Sequence, residues 1–419
     1  MRKVLKNFSG KYLAKQQKGI APMSIRVALF GVSGYARTYV VGLTKLQDAG
    51  EIDFAGAVIR TPSKAPEVVE DFEKRGIKIY PDTASLYKDC KDLDLVCIPT
   101  GIASHEELTI EALEHGCHVL VEKPLTGSME SARRMAAAQK KYGKSVMIGY
   151  QHIYLEGIQK IKQHLVSGKL GKVKRVVTMG LWPRGDVYYA RNGWAGKMAV
   201  AGTPVCDSPI NNAFAHYLNI SLFFSGRSFE EMMIPVTMQA EMYRSRAAIE
   251  TFDTCALKVK SAEGSEVLAL FCHTCPESVN PVIHVECENG TADWGDSQSW
   301  SVKDAAGNVI ETADIANIDR GAMFNAAVAK VRGEKVFTST IAAAAVQTFC
   351  IDCMHKFFTI NPVDAAFAPR REEDGVFLLK DVETYWPEAM AKFQMPSETG
   401  APWAVASKEI ALPAFELAD

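Results

Sequence analysis

Three stretches of the chain carry residue types whose spacing could do chemistry. The first is Gly31-Val32-Ser33-Gly34-Tyr35-Ala36, which directly follows the apolar run Ile25 to Phe30. A glycine-bearing turn between a strand and a helix presents backbone N–H groups to a pyrophosphate. Ser33 and Ala36 stand where a dinucleotide fingerprint has its second and third glycines; alanine is tolerated at the third, and Gly34 supplies flexibility lost at Ser33. The second is Arg60-Thr61-Pro62-Ser63-Lys64, just past the next apolar run, Phe54 to Ile59. An NAD enzyme usually carries a carboxylate there for the ribose 2′-hydroxyl, whereas Arg60, Ser63 and Lys64 offer cations and a hydroxyl suited to a 2′-phosphate. NADP is therefore expected in preference to NAD. The third is Glu122-Lys123-Pro124, at the end of the run Cys117 to Val121. Hydride transfer at a carbinol carbon must be matched by proton transfer at its oxygen. A lysine desolvated beside a nicotinamide has its pKa lowered into a usable range, and Glu122 could hold the nicotinamide ribose or orient the lysine.

These residues need a scaffold that brings strand ends together. Residues 25–150 alternate short apolar runs with helical patterns, the mark of a parallel sheet covered on both faces, here a doubly wound Rossmann domain. Beyond Tyr150 the strand candidates, among them Val173 to Leu181, Ala256 to Ser261, Val267 to His273 and Val282 to Glu288, are separated by hairpin-like turns. They predict an α+β domain over 151–419 with an open, mainly antiparallel sheet, and a loop-rich tail from Pro362 wrapping the body. Residues 1–24 form a basic extension with no acidic residue and no apolar signal core. The 419 residues are 47% apolar with a net charge of −2, which removes the broad positive field of a nucleic-acid binder. No apolar run approaches the ~18 residues that a membrane span needs. Of ten cysteines, Cys272/Cys275 and Cys350/Cys353 form CxxC pairs; 74 residues apart, they read as buried reduced thiols in a cytoplasmic protein, and no metal is expected.

The text Asp94-Leu-Val-Cys-Ile-Pro99-Thr100, His105, Ala112-Leu-Glu-His-Gly116, His118-Val-Leu-Val-Glu122-Lys123-Pro124 and Ser167-Gly168-Lys-Leu-Gly171 resembles the glucose-fructose oxidoreductase / inositol dehydrogenase (Gfo/Idh/MocA) family. The resemblance implies that Pro99, Thr100, His105 and Glu122 lie about the cofactor. It also implies that one face of the second sheet carries the active site while the other makes a dimer, and that the substrate is a sugar, sugar derivative or polyol. The family's second signature, Asp-x-x-x-His, is met by His216 but has Asn212 at the Asp position, with Asp207 five residues earlier. Either could orient substrate, with Lys123 and His216 left as the acid/base pair. Gln151 to Tyr154 lacks an arginine that many relatives carry, which argues against an anionic substrate group at that point. The loop Trp182 to Lys197, rich in aromatics and arginines, is the expected sugar site, with Arg184, Tyr189, Arg191 and Trp194 as contacts. Asp186 among its cations favours neutral ligands.

The expectation is an NAD(P)-dependent sugar or polyol oxidoreductase, homodimeric or homotetrameric, with neither nucleic-acid nor membrane partner. Its rivals are a glycoside-cleaving enzyme that oxidises the sugar transiently, and a non-catalytic regulator that binds dinucleotide or sugar. A pure binder would need neither Lys123 nor His216.

Overall fold

The computed structural model describes residues 24–295, 299–314 and 319–417, so the basic extension lies, but for Ser24, outside the described residues. Strands β1 (Ile25–Phe30), β2 (Ile52–Val58), β3 (Lys78–Tyr80), β4 (Leu95–Ile98), β5 (His118–Val121) and β6 (Val146–Ile148) form a parallel sheet in the order β3-β2-β1-β4-β5-β6. Helices α1 (Ala36–Asp48), α2 (Pro66–Arg75), α3 (Thr83–Asp89), α4 (His105–Glu114) and α5 (Met129–Tyr142) join them. The order reverses between β1 and β4, so the carboxyl ends of those strands open a crevice where a dinucleotide binds. Local chemistry sets the helix ends. Ser128 caps α5 by accepting from the Ser131 N–H, and Gly143 ends it in the left-handed conformation at φ +67°.

Next come α6 (Glu156–Val166), β7 (Val173–Leu181), the short α7 (Asp186–Tyr189), a minimal hairpin of β8 (Ala199–Val200) and β9 (Thr203–Pro204), and α8 (Ala215–Phe224). Strands β10 (Pro235–Arg244), β11 (Thr254–Ser261), β12 (Glu266–Cys272), β13 (Val279–Cys287), β14 (Gly290–Gly295), β15 (Trp300–Asp304) and β16 (Val309–Ala313) follow. The chain ends with α9 (Gly321–Val331), α10 (Ile341–Phe357), β17 (Ile360–Pro362), α11 (Val382–Lys392) and β18 (Ile410–Ala411). The ten-stranded sheet runs β16-β15-β14-β13-β7-β12-β11-β10-β17, with β18 beside β10. Its pairings are antiparallel except β7–β12 and β10–β17. The long strand β10, missed by the sequence reading, lies inside this sheet; its mixed sequence PVTMQAEMYR hides its pairing.

Helix α9 crosses the expected boundary at residue 150. Its Phe324 meets Tyr39 of α1 edge-on at 5.0 Å, and a Cβ on Gly42 would fall 2.4 Å from the Phe324 ring. Residues 321–331 thus return to the first sheet and share its core. On the second sheet, one face packs on α6, α8 and α10, as part of a core continuous with the first domain. The opposite face, where the resemblance implied a dimer, is covered by the chain's own C-terminal segment. Ala368, Leu379, Val382, Trp386, Met395 and Trp403 bury there against Val177, Met179, Leu268 and Leu270, and Trp386 is fully buried. The tail does wrap the body, but through α11 and aromatic anchors and not as loop alone. All ten cysteines are buried and unpaired. Among the described residues no helix is long and apolar enough to cross a membrane.

Candidate active site

At the carboxyl ends of β1 and β2 lies a cavity of about 350 Å³. Gly31 and Ser33 line it from the first turn, Arg60, Thr61 and Lys64 from the second, and Thr100 with Gly101 from the turn after β4. Gly31 and Gly34 have φ of +89° and +64°, left-handed values that leave Ser33 between them in ordinary backbone. Gly34 therefore does supply the conformation that Ser33 could not. Ala36, buried, begins α1, and Tyr35 precedes it with its phenol donating to Gln151 Oε1 at 2.5 Å. Arg60 and Lys64 form no ion pair among the described residues. The turn geometry and these unanswered cations suit the phosphates of a dinucleotide. Ser63 is exposed beside the cavity without lining it, and Pro99 is buried behind it. Thr61, the other hydroxyl of that cluster, lines the cavity in place of Ser63, and Gly101 escaped the sequence reading.

His105, expected at the cofactor, is fully buried. Its Nδ1 faces the Pro124 carbonyl at 2.9 Å and its Nε2 the Thr100 carbonyl at 3.1 Å. It ties the turn after β4 to the turn after β5 and presents nothing to a ligand. That corrects its direct cofactor role: a ring closed in by carbonyls on both nitrogens can only position the backbone.

Lys123 stands at the end of β5. Its Nζ donates to the Asn212 carbonyl at 2.9 Å and to Asn212 Oδ1 at 3.3 Å. Asn212 Nδ2 in turn donates to Asp207 Oδ1 at 2.7 Å. Asp207 Oδ2 accepts the Gly196 N–H at 2.7 Å and lies 3.4 Å from the Arg191 guanidinium. Asp207 and Asn212 are therefore not alternatives; they are consecutive members of one array, with Asn212 next to the lysine. Burial lowers the Lys123 pKa, with Glu122 and Asp207 pulling it partly back up. Burial also raises Asp207, against its hydrogen bonds. Glu122 is pushed up to about 7 by burial; Tyr39 donates to its Oε2 at 2.8 Å while its Oε1 is buried without a partner.

His216, in the first turn of α8, stacks on His152 with centroids 4.3 Å apart, and Tyr150 meets it edge-on at 5.9 Å. The Nδ1 atoms of both histidines are buried without partners. Burial drives His216 well below its usual value and His152 down to about 4, so both rings are neutral at pH 7. Arg320, just before α9, acts on Tyr35, His152 and His216 through its charge. Neither Arg320 nor His152 was among the candidate residues; over a hundred residues of chain separate Arg320 from either histidine, so no local motif marks it.

The loop after β7 divides. Asp186 pairs with Arg246 at 2.6 Å and Arg370 at 2.5 Å, and its N–H donates to the Asp374 carbonyl. Tyr189 lies under the Arg246 guanidinium at 4.7 Å. Its ring staples the loop to the C-terminal side, which corrects the expectation of a substrate contact there. Arg191 instead lies over Tyr188 at 3.7 Å, beside Asp207, and a Cβ on Gly101 would fall 3.4 Å from Trp194 Nε1. Arg191 and Trp194 thus link the lysine array to the cofactor cavity.

Residues 25–150 match the model of the oxidoreductase family with an NAD-binding Rossmann fold, GFO_IDH_MocA. The likeness to that family's model is thus confined to the first domain. Inositol 2-dehydrogenase/D-chiro-inositol 3-dehydrogenase of Lacticaseibacillus casei is 30% identical over 151 residues, 36% of this chain and 42% of the relative. Inositol 2-dehydrogenase of Ralstonia nicotianae is 21% identical over 290 residues, 69% of this chain and 79% of the relative. The match thus spans about two-fifths of the first relative's length and reaches further in the second. Among solved structures, the WlbA dehydrogenase from Bordetella pertussis in complex with NADH and UDP-GlcNAcA aligns with a TM-score of 0.65 at 18% identity, over 80% of this chain and 96% of that one. Levoglucosan dehydrogenase in complex with NADH aligns with a TM-score of 0.67 at 15% identity over the same shares. At these identities the likeness concerns the fold alone, and it extends well past residue 150.

Proposed function

We propose that this protein is a Gfo/Idh/MocA-type NAD(P)-dependent dehydrogenase or reductase of a sugar, sugar derivative or polyol, with Lys123 as acid/base. The observation that carries this reading is the array Lys123–Asn212–Asp207 beside the cavity at the strand ends. A neutral amine has two N–H bonds and one lone pair. With both N–H groups given to the oxygens of Asn212, the lone pair is left to take the proton of a substrate hydroxyl. In the reverse direction the protonated amine donates its third N–H to a carbonyl oxygen. Bound nicotinamide nucleotide supplies or accepts the hydride. Asn212 orients the amine without exchanging protons, and Asp207 holds Asn212 in that orientation through one oxygen while Gly196 and Arg191 hold the other. His216, neutral and close to Lys123, is the second group able to bind or relay a proton at the substrate oxygen.

Arg60 and Lys64 at the β2 end, with the Thr61 hydroxyl beside them, favour NADP over NAD in this reading, because neither cation is neutralised by a carboxylate among the described residues. The protein is placed in the cytoplasm. Self-association as a homodimer or homotetramer would use a surface other than the covered sheet face. Calorimetric titration of nucleotide-free protein with NADP and NAD tests the cofactor part. Arg60→Asp is expected to weaken NADP binding at least about tenfold and leave NAD nearly unchanged; tighter NAD binding by the unmutated protein would overturn the preference.

A further inference from the structure

Arg184 carries a charge that no carboxylate answers among the described residues. Its backbone N–H is fixed on the His273 carbonyl at 3.0 Å. Its guanidinium lies over the rings of Trp182 at 5.5 Å and Tyr188 at 5.0 Å, and Nη1 reaches the Pro183 carbonyl at 3.3 Å. Nε is buried with no hydrogen-bond partner. Among the described residues no carboxylate pairs with it, whereas Arg191 has Asp207, Arg246 and Arg370 share Asp186, and Arg371 has Asp374. The carboxylate that made the loop look balanced, Asp186, is taken up on the C-terminal side. The Tyr188 hydroxyl is a further, uncharged partner; aromatic faces attract a cation but accept no N–H in the plane of the guanidinium, so the orphaned Nε and the charge are left without an anionic acceptor. His273, also beside it, is held neutral by burial and adds no negative charge.

We propose that Arg184, together with Arg191 on the same Tyr188 ring, holds an anionic group of the substrate, so that the substrate is an acidic sugar or polyol. The forked donors of a guanidinium suit a carboxylate or a phosphate ester alike. Trp182 and Tyr188 offer flat faces beside that anion, and Arg191 connects it to Asp207 and so to Lys123. The anion is thus bound at the end of the site away from the reacting carbon.

The inference rests on the dehydrogenase reading, and matched substrates separate the two. Nicotinamide reduction is followed with nucleotide-loaded protein on glucose, glucuronate and glucose 6-phosphate, and on myo-inositol beside an inositol phosphate. The acidic member of a set is expected to exceed its neutral counterpart in kcat/KM by at least about tenfold. Whether glucuronate or the phosphates lead decides between carboxylate and phosphate. Arg184→Gln is expected to reduce the acid-to-neutral ratio about tenfold, chiefly through KM, with part of it restored in Arg184→Lys. Nucleotide binding by each variant confirms that it has folded. A neutral preference in the unmutated protein, or a ratio unmoved in Arg184→Gln, would overturn the acidic-substrate proposal and leave the dehydrogenase standing. Bound nucleotide with no reduction by any compound would overturn both.

Discussion

The two ends of the cleft are built by opposite means. At the dinucleotide end, Arg60 and Lys64 are exposed, make no ion pairs among the described residues and sit on short turns directly after their strands. At the substrate end, Lys123, Asn212 and Asp207 are joined in sequence by hydrogen bonds, and 84 residues separate Lys123 from Asp207. An open, unpaired cation attracts phosphate from water. A buried amine on fixed acceptors has its lone pair aimed and its pKa lowered before substrate arrives. Binding of the nucleotide and chemistry on the substrate should therefore fail separately when their residues are changed.

The largest separation is expected at Asn212. Asn212→Leu removes the side-chain acceptor and the link to Asp207, and kcat should fall about a hundredfold while nucleotide affinity changes by less than about twofold. Asn212→Asp sharpens the point. A carboxylate against the amine raises the lysine pKa, so the rise of the oxidation rate with pH should move about one unit upward. An unmoved profile would detach Lys123 from that titration.

A smaller effect belongs to Glu122. Its pKa is raised to about 7 from an ordinary carboxyl value of 4.5 by burial. The folded state therefore holds more protons than the unfolded state between those values. Its stabilising share is complete below about pH 4.5 and is lost as pH rises through about 7, a change on the order of 3 kcal/mol at most. Urea denaturation of nucleotide-free protein at pH 5 and pH 8 should show this decline, and Glu122→Gln should reduce it. Smallest of all is the loop tether: Asp186→Asn weakens the clamps from Arg246 and Arg370 and should raise substrate KM a few-fold with kcat nearly kept.

The same contrast explains what could be read from sequence. The glycine turn, Arg60 and Lys123 lie at the ends of apolar runs, where alternation of strand and helix alone places them in the crevice. The bounds of α5 could likewise be read directly, because Ser128 and Gly143 mark them, and those of β7 were read correctly although its sequence VKRVVTMGL alternates irregularly. Asp207 and Asn212 were named but could not be ordered, since their order depends on how residues 203–212 fold back on Lys123. Tyr189 was misread because its partner, Arg246, comes from the loop after β10, 57 residues later. His105 was misread because its carbonyl partners are backbone atoms that no sequence pattern displays. The covering of the outer sheet face by Trp386 and Trp403 escaped for a related reason: aromatic residues in a proline-bearing tail signal burial without naming the surface.

The central claim is that Lys123 moves the proton that accompanies hydride transfer. Its most direct test is a single-turnover measurement on nucleotide-saturated protein, comparing the unmutated chain with Lys123→Met on the best substrate of the panel. The account predicts at least about a thousandfold loss of the reduction rate in the variant at unchanged nucleotide affinity. It also predicts that in the unmutated protein the rate rises with pH, below the usual lysine range, and that this dependence disappears in the variant. A variant that reduces nicotinamide within a few-fold of the unmutated rate, with the same pH dependence, would contradict it.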